Sequence, residues 1–250
     1  MKIQYHSDLH LERNNNRVFF DNYKIKPIAD ILILAGDTTA STDKYYQRDF
    51  FDYLSENWKE VYMIPGNHEY YFIEEKDLLD KPYLNRKIRK NVHLLNNQSI
   101  VIDDLKIIFS TMWSPISIEK EFHIQDTLKD FMYIYYKDRL LRSSDMKDIF
   151  NKSFDYINSE VQNNKSEKLL IVTHHAPTKL VISQQYKTSK IQEAFSVELH
   201  PFIFDNDIDY WIYGHTHQNI DAEINGTKIV SNQFGYAESG VEIEYKLLKI

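Results

Sequence analysis

The segment "DYWIYGHTH", Asp209 to His217, places two histidines directly after a run of hydrophobic residues. Aromatic and β-branched residues at positions 211–213 predict a buried strand, and Gly214 ends it. In an extended segment, residues two apart face the same side, so His215 and His217 point in one direction. Two imidazole groups at the end of one strand can bind a metal if other side chains reach the same place.

Other short apolar runs also have the length and composition of buried strands. They begin at Lys2, Ile31, Val61, Leu105, Lys168, Thr227 and Gly240. Segments with helical spacing lie between them; Tyr46, Phe50, Phe51 and Leu54, for example, share one helix face. This alternation predicts an α/β fold in which β-structure lies between helical layers.

Two segments differ from this pattern. Residues 115–165 are mostly helical in pattern, and we interpret them as a helical insertion within a single domain of residues 1–250. Tyr133, Tyr135 and Tyr136 cluster there, either as a stacking surface for a substrate base or sugar or as an aromatic core face. The densest basic run, Asn85 to Lys90, is interpreted as a solvated helix face.

The composition narrows the possible functions. A net charge of -7 disfavours a protein that binds nucleic acid nonspecifically. A single nucleotide remains possible as a substrate. The chain has no cysteine, which excludes disulfides, a thiolate nucleophile and a cysteine-ligated zinc site. No signal-peptide hydrophobic region or membrane-spanning apolar run is apparent, so we expect a cytoplasmic protein without a membrane partner.

Five of the predicted strands end in side chains that bind divalent metals. The motifs are Asp8-Leu9-His10, Gly36-Asp37, Gly66-Asn67-His68-Glu69, His174-His175 and Gly214-His215-Thr216-His217. In open α/β sheets, ligands bind beyond the carboxyl ends of the strands, and imidazole, carboxylate and amide groups suit borderline divalent metals. Each motif alone has an ordinary explanation, such as a helix cap or a turn. That explanation would have to apply at five strand ends, so we predict a metal site.

In this order, the five motifs resemble those of the calcineurin-like metallophosphoesterase superfamily, and they extend from Asp8 to His217. The segments "SDLHLE" and "THHAPT" and a final Ser-Asn-x-x-Gly-Tyr are similar to a bacterial subgroup of small metallophosphoesterases. That subgroup more often has Asn-Pro-Arg-Gly-Tyr where this chain has "NQFGY" at 232–236. If the arginine contacts phosphate, this chain differs in specificity. The resemblance implies a four-layer α/β/β/α sandwich that holds two divalent metal ions.

Carried over by motif, the resemblance implies a ligand set for each ion. Asp8, His10 and His217 would hold the first metal, Asn67, His174 and His215 the second, and Asp37 would bridge the two. His174 is preferred to its neighbour His175 because it comes first at the end of the strand. Ligands of these types accept manganese, iron, zinc, nickel or cobalt, and among these metals we expect manganese.

The implied activity is hydrolysis of a phosphomonoester or phosphodiester substrate, with two ions on the phosphate and in-line attack by a metal-activated hydroxide. His68 is the expected catalytic residue, as a general acid or transition-state stabiliser; the alternative is a hydrogen-bond donor behind a ligand. Asp43, Glu69 and Asp221 are candidates to orient the imidazoles. Tyr70 and Tyr71 are expected to line the cleft.

Three other functions are compatible with this resemblance. A nuclease and a protein serine/threonine phosphatase belong to the same superfamily; the acidic charge disfavours the first, and an insertion that obstructs a surface groove disfavours the second. A noncatalytic metal-binding scaffold would be expected to have lost ligands, whereas the seven ligand positions and His68 are intact.

Overall fold

The computed structural model describes residues 1–40, 46–71 and 85–250. The strands are β1 (Lys2–His6), β2 (Ile31–Ala35), β3 (Glu60–Ile64), β4 (Arg86–Arg89), β5 (Val92–Leu94), β6 (Gln98–Ile102), β7 (Leu105–Ser110), β8 (Tyr135–Tyr136), β9 (Arg139–Leu140), β10 (Lys168–Thr173), β11 (Tyr210–Tyr213), β12 (Ala222–Ile224), β13 (Thr227–Ser231) and β14 (Leu247–Lys249). The α-helices are Asn14–Asn22, Asp49–Asn57, Glu121–Thr127, Asp130–Tyr133, Met146–Gln162 and His200–Asp205. Among these residues, no helix has both the length and the apolar character needed to cross a bilayer.

Two six-stranded sheets form the centre of the described structure. The first has the order β14-β1-β2-β3-β5-β4, with β1, β2, β3 and β5 parallel and the two edge strands antiparallel. The second has the order β12-β13-β11-β10-β7-β6, again with parallel central strands and antiparallel edges. Because both faces of a central parallel strand are covered, its sequence is a continuous apolar run, as in "ILILA" at 31–35.

The sheets face each other and helices cover their outer faces. Ile33 and Val172 belong to one buried cluster that joins the two sheets. On the outer side, Phe51 packs in the cluster that covers the first sheet, and Ile157 packs in the cluster that covers the second. The outer helices are Asn14–Asn22 and Asp49–Asn57 on the first sheet, and Met146–Gln162 and His200–Asp205 on the second. This arrangement confirms the predicted four-layer α/β/β/α sandwich.

The two atypical segments have more varied structures than their patterns indicated. Residues 115–165 contain three helices and also the antiparallel hairpin of β8 and β9. Tyr136 is buried, and the ring of Tyr133 lies 5.5 Å from that of Tyr71, so these aromatic residues contribute to packing. The helix interpretation of the basic run was wrong: Arg86–Arg89 is edge strand β4, held by backbone pairing with β5.

The topology brings the polar strand ends together. β1, β2 and β3 are adjacent and parallel, so the segments that follow them all leave the first sheet at the carboxyl-terminal end of its strands. β10 and β11 are likewise parallel neighbours in the second sheet. Ser7 pairs with Gln233, and the backbone N–H of His215 donates to the Asp8 carboxylate. These two contacts join the carboxyl-terminal ends of the strands of the two sheets. All five motifs therefore meet where the sheets converge.

Candidate metal centre

Five of the predicted ligands occupy the left-handed backbone region. The φ angles are 58° at Asp8, 48° at His10, 52° at Asp37, 71° at His215 and 51° at His217. This region is uncommon for residues with a Cβ and persists only where surrounding contacts impose it. Here the backbone N–H groups of Asp8 and His10 donate to the carbonyls of Gly36 and Asp37 at 3.0 and 2.9 Å. These hydrogen bonds hold the segments after β1 and β2 together, and they orient the ligand side chains toward the interior.

Glycines precede the ligands because the site leaves no room for a side chain there. A Cβ at Gly36 would lie 2.3 Å from His174 Nδ1, and a Cβ at Gly66 would lie 2.2 Å from Asp37 Oδ1. A Cβ at Gly214 would lie 2.8 Å from the Asp8 carboxylate. The motif glycines thus allow a neighbouring strand end to approach closely, in addition to allowing a turn.

Asp8, His10 and His217 form one potential ligand group, with ligand atoms within 4.8 Å of one another. The Nε2 atoms of His10 and His217 face each other at 3.0 Å, and His217 Nε2 is 3.3 Å from Asp8 Oδ1. His10 Nδ1–H donates to Glu12 Oε1 at 3.1 Å, which leaves Nε2 as the ligand nitrogen. Asp8 and His10 are fully buried, whereas the His217 side chain is 27% exposed. The group therefore opens toward solvent at His217.

Asp37, His174 and His215 form a second potential group, also within 4.8 Å. His174 Nδ1–H donates to the carbonyl of Ala35 at 2.9 Å, so Nε2 carries the free lone pair. That Nε2 lies 3.2 Å from Asn67 Oδ1. His215 Nε2–H donates to a backbone carbonyl at 3.3 Å, which leaves Nδ1 free. Each imidazole in this group is thus fixed in the tautomer that metal binding requires.

The carboxylate of Asp37 lies between the two groups. Its Oδ2 is 3.7 Å from His10 Nε2, and its Oδ1 is 3.4 Å from His174 Nε2. Burial alone raises the pKa of this carboxyl, but the neighbouring His174 and His68 outweigh burial and hold the pKa well below its usual range. An ionised carboxylate between two clusters of imidazole and carboxylate donors fits two divalent cations. The residues therefore suit the pair of metals that the motifs imply.

His175 packs against His215, with the ring centroids 4.3 Å apart, but it belongs to neither ligand group. Both of its ring nitrogens are buried and lack a hydrogen-bond partner in the described structure, and its ring packs 5.2 Å from that of Trp113. Burial lowers the pKa of His175 to about 3, so the ring is neutral. By contrast, His174 Nε2 faces Asn67 Oδ1 at 3.2 Å and Asp37 Oδ1 at 3.4 Å. The geometry supports His174 as the ligand of the pair.

His68 lies beside the metal-ligand groups and faces the cleft. Its Nδ1–H donates to Glu12 Oε1 at 2.8 Å, and its Nε2 is 3.9 Å from Asp37 Oδ2. Burial by itself lowers the pKa of His68, but Asp37 and Glu12 outweigh this and raise the pKa to about 9. The ring stacks on Tyr71 at 4.4 Å between centroids. His68 is therefore oriented by Glu12 so that Nε2 faces the candidate metal centre.

Sequence reasoning missed two carboxylates of the site. Glu12 accepts hydrogen bonds from both His10 and His68 through Oε1, and it was visible only as the last residue of "SDLHLE". Asp130, from the 115–165 segment, contacts the amide of Asn67 at 2.7 Å, and no sequence signal marked it. Both are partners of predicted site residues.

Two of the three residues expected to orient imidazoles, Glu69 and Asp221, have other positions. Glu69 instead accepts hydrogen bonds from the backbone N–H groups of Gly66, Asp37, Thr38 and Thr39. Asp221 lies near the backbone N–H of Ser231, at 3.4 Å. Asp43 lies outside the described residues.

A cleft of about 500 Å³ opens over the site. Its floor includes Asp37, His68 and His217, and its walls come from residues 127–130 and from the segment between 182 and 195. The walls combine apolar and aromatic side chains with hydroxyl and amide groups and the cation of Lys129. Tyr71 also lines the cleft, whereas Tyr70 is buried in the core. Such a volume is typical of small-molecule sites.

The departure from the subgroup motif at 232–236 has a structural explanation. Phe234 is buried, and its ring packs 4.8 Å from Phe19 and 4.7 Å from Phe20. The side chain at this position therefore faces the hydrophobic core. Tyr236 lines the cleft instead, with its ring 4.7 Å from that of His217 and the Arg13 guanidinium 4.2 Å from its centre.

Comparison with known proteins identifies a family. The family model described as calcineurin-like phosphoesterase matches residues 1–219. An uncharacterized protein of Acanthamoeba polyphaga mimivirus is 32% identical over 264 residues, which covers 94% of this chain and 91% of that protein.

Solved structures share the fold at low sequence identity. The phosphopantetheinyl hydrolase of Mycobacterium tuberculosis superposes with a TM-score of 0.71 at 13% identity, covering 99% of this chain and 95% of that one. GAP50, the anchor in the inner membrane complex of Plasmodium, superposes with a TM-score of 0.50 at 10% identity, covering 94% and 72%. A hydrolase and an anchor share this fold, so the fold by itself does not assign an activity.

Proposed function

The chain belongs to the calcineurin-like phosphoesterase family, and on that premise we propose that it hydrolyses a small phosphomonoester or phosphodiester with two divalent metal ions. The observation that carries this proposal is the position of Asp37. One carboxylate oxygen is 3.7 Å from His10 Nε2 and the other is 3.4 Å from His174 Nε2. A carboxylate shared between two donor clusters is the arrangement that a metal pair needs.

We assign the ligands by cluster. Asp8, His10 and His217 would hold one ion, Asn67, His174 and His215 the other, and Asp37 both. The donor set is imidazole, carboxylate and amide, which suits manganese. When bound, the ions would neutralise phosphate oxygens and lower the pKa of a water molecule.

The chain's own residues supply orientation and a proton. Glu12 accepts from His68 Nδ1, and this fixes the ring so that Nε2 faces the side of Asp37 and the cleft. Burial lowers the pKa of His68 and the charges of Asp37 and Glu12 raise it; Glu12 is not one of the proposed metal ligands, and its charge favours a proton at Nε2. That proton can pass to the oxygen of the leaving group. His68 therefore has the role of a general acid.

The walls of the cleft favour a small substrate. Lys129 places a cation at the rim, where it attracts a phosphate, and Tyr71, Phe195 and Tyr236 provide aromatic surface for an organic leaving group. A cleft of about 500 Å³ fits a small ester better than a folded protein or a duplex. The net charge of -7 also disfavours a polyanionic partner.

Metal restoration tests this function. The protein is stripped with chelator and assayed with p-nitrophenyl phosphate and bis-p-nitrophenyl phosphate while Mn²⁺, Ni²⁺, Zn²⁺ or Mg²⁺ is added back. We expect no turnover without metal and restored turnover with Mn²⁺; the ratio of the two rates separates monoesterase from diesterase. Absence of turnover on both substrates, with two ions bound, would contradict the proposal.

A His68→Ala variant tests the general acid. Loss of a positioned acid costs about 10²–10⁴-fold in rate, while metal content should stay at two ions per chain. Loss of an ion from this variant would instead identify His68 as a ligand.

A further inference from the structure

A buried carboxylate from the 115–165 segment reaches the predicted second metal site. Asn67 Nδ2 donates to Asp130 Oδ1 at 2.7 Å and to the hydroxyl of Tyr71 at 3.2 Å. The Tyr71 hydroxyl donates to the same Oδ1 at 2.5 Å. All three residues are at least nine-tenths buried. Both N–H groups of the Asn67 amide therefore have buried protein acceptors, which are Asp130 Oδ1 and the Tyr71 hydroxyl.

This arrangement determines which end of the amide faces the site. A primary amide has a donor end and an acceptor end of similar size, and only hydrogen-bond partners decide between them. Asp130 Oδ1 accepts, so the nitrogen of Asn67 must face it. The oxygen then faces His174 Nε2, at 3.2 Å. A flipped amide would turn an NH₂ group toward the position of a cation.

We propose that Asp130 is a positioning residue of the second metal site, which fixes the Asn67 amide with its oxygen available as a ligand. This inference deepens the proposed function and rests on it. Asp130 is distant from Asn67 in sequence and belongs to the helix Asp130–Tyr133. The 115–165 segment is thereby a structural part of the metal centre as well as a wall of the cleft.

The helix that carries Asp130 is itself firmly anchored. Phe131 and Ile134 are buried in the same cluster as Tyr71, and the ring of Tyr133 packs 5.5 Å from that of Tyr71. Tyr71 also stacks on His68 at 4.4 Å. One packed unit therefore orients the predicted ligand Asn67 and the predicted general acid.

Calorimetric titration of the metal-free protein with Mn²⁺ tests the proposal without requiring turnover. The variants are Asp130→Ala, Asn67→Ala and the double variant, with Asp126→Ala as a control because Asp126 is an exposed aspartate of the same segment. Removing a residue that supports a metal ligand typically weakens metal binding by about 10–100-fold. We expect this loss for one of two ions in Asp130→Ala and no loss in Asp126→Ala.

The double variant distinguishes positioning from a general effect on folding. If Asp130 acts through Asn67, the double variant binds Mn²⁺ no more weakly than Asn67→Ala. Additive losses, or equal weakening of both ions, would overturn the proposal, as would wild-type affinity in Asp130→Ala.

Asp130→Asn covers the case in which the alanine variant does not fold. It preserves shape but lets residue 130 donate as well as accept, so the Asn67 amide is no longer held one way. A loss of about threefold or more for the second ion supports the proposal, and wild-type affinity overturns it.

The two proposals fail separately. A wild-type protein that binds two Mn²⁺ ions but hydrolyses no ester contradicts the proposed function alone. A wild-type protein that hydrolyses esters while Asp130→Ala binds metal normally contradicts the role of Asp130 alone.

Discussion

Replacing Gly66 with alanine tests how closely the backbone approaches the candidate metal centre. The added Cβ would lie 2.2 Å from Asp37 Oδ1, 2.6 Å from Asp37 N and 2.7 Å from His174 Cε1. Ordinary contact begins at 3.4 Å. The carboxylate and its backbone must therefore yield by about 1.2 Å, in a packed region with little room to relax.

The consequences of this crowding have two parts. Overpacking of a close-packed interior costs about 1–3 kcal/mol, and each kcal/mol lowers Tm by about 2–4 °C in a chain of this size. A shift of about 1 Å in a group that positions the reaction lowers the rate by about 100-fold. Because we propose Asp37 as the ligand that two metal ions share, we also expect weaker binding of both metals.

The assay combines thermal melting, Mn²⁺ titration and turnover of p-nitrophenyl phosphate. Gly226→Ala is the control, because Gly226 has φ of 89° and no atom within 4 Å of an added Cβ. That variant should lose about 1–3 kcal/mol through backbone strain alone and keep its metal affinity. If Gly66→Ala binds two ions and hydrolyses the substrate at the wild-type rate, Gly66 does not lie as close to the Asp37 carboxylate as the structure has it.

Other changes separate the roles of individual groups. Asp37→Asn should nearly abolish turnover while circular dichroism shows an intact fold, because the shared charge is lost; near-normal turnover with saturating metal contradicts the bridging role. Glu12→Gln keeps an oxygen that accepts from both histidines but removes the charge that helps to raise the pKa of His68, so kcat should fall by about 10-fold, against about 100-fold for Glu12→Ala, which loses both. Equal losses would mean that charge, and not orientation, matters. Lys129→Ala should raise KM about three- to fivefold at unchanged metal content, and Lys165→Ala, outside the cleft, should not; unchanged KM in the first variant excludes a substrate contact. Chelation should lower Tm, and metal added at 100 times Kd should restore about 2.7 kcal/mol of unfolding free energy. A Tm that does not change with chelator contradicts metal binding to the folded state.

The sheet and the position of the site could be predicted from the sequence because both depend on local patterns. Buried parallel strands need continuous apolar runs, and the runs at 31–35 and 168–173 are β2 and β10. Asp37 and His174 come directly after such runs, so a rule about strand ends brings them to one edge. Register and sheet order were not needed for this step.

The supporting contacts could not be predicted because they depend on long-range packing. Asp130 is one acidic residue in a helical pattern, and only the fold brings it to the amide of Asn67, 63 positions away. Glu12 is close to His10 in sequence, but its second partner, His68, comes from another strand end. The edge strand Arg86–Arg89 was misjudged because its charge suggested a solvated helix, whereas its backbone pairing with β5 decides the structure.

The central claim is that the five strand ends build one centre for two metals. Anomalous diffraction from crystals grown with Mn²⁺, recorded at the manganese edge, tests it most directly. The account predicts two peaks about 3.5–4 Å apart, one beside Asp8, His10 and His217 and one beside Asn67, His174 and His215, with Asp37 touching both. A single peak, or a pair in which Asp37 contacts only one ion, would contradict it.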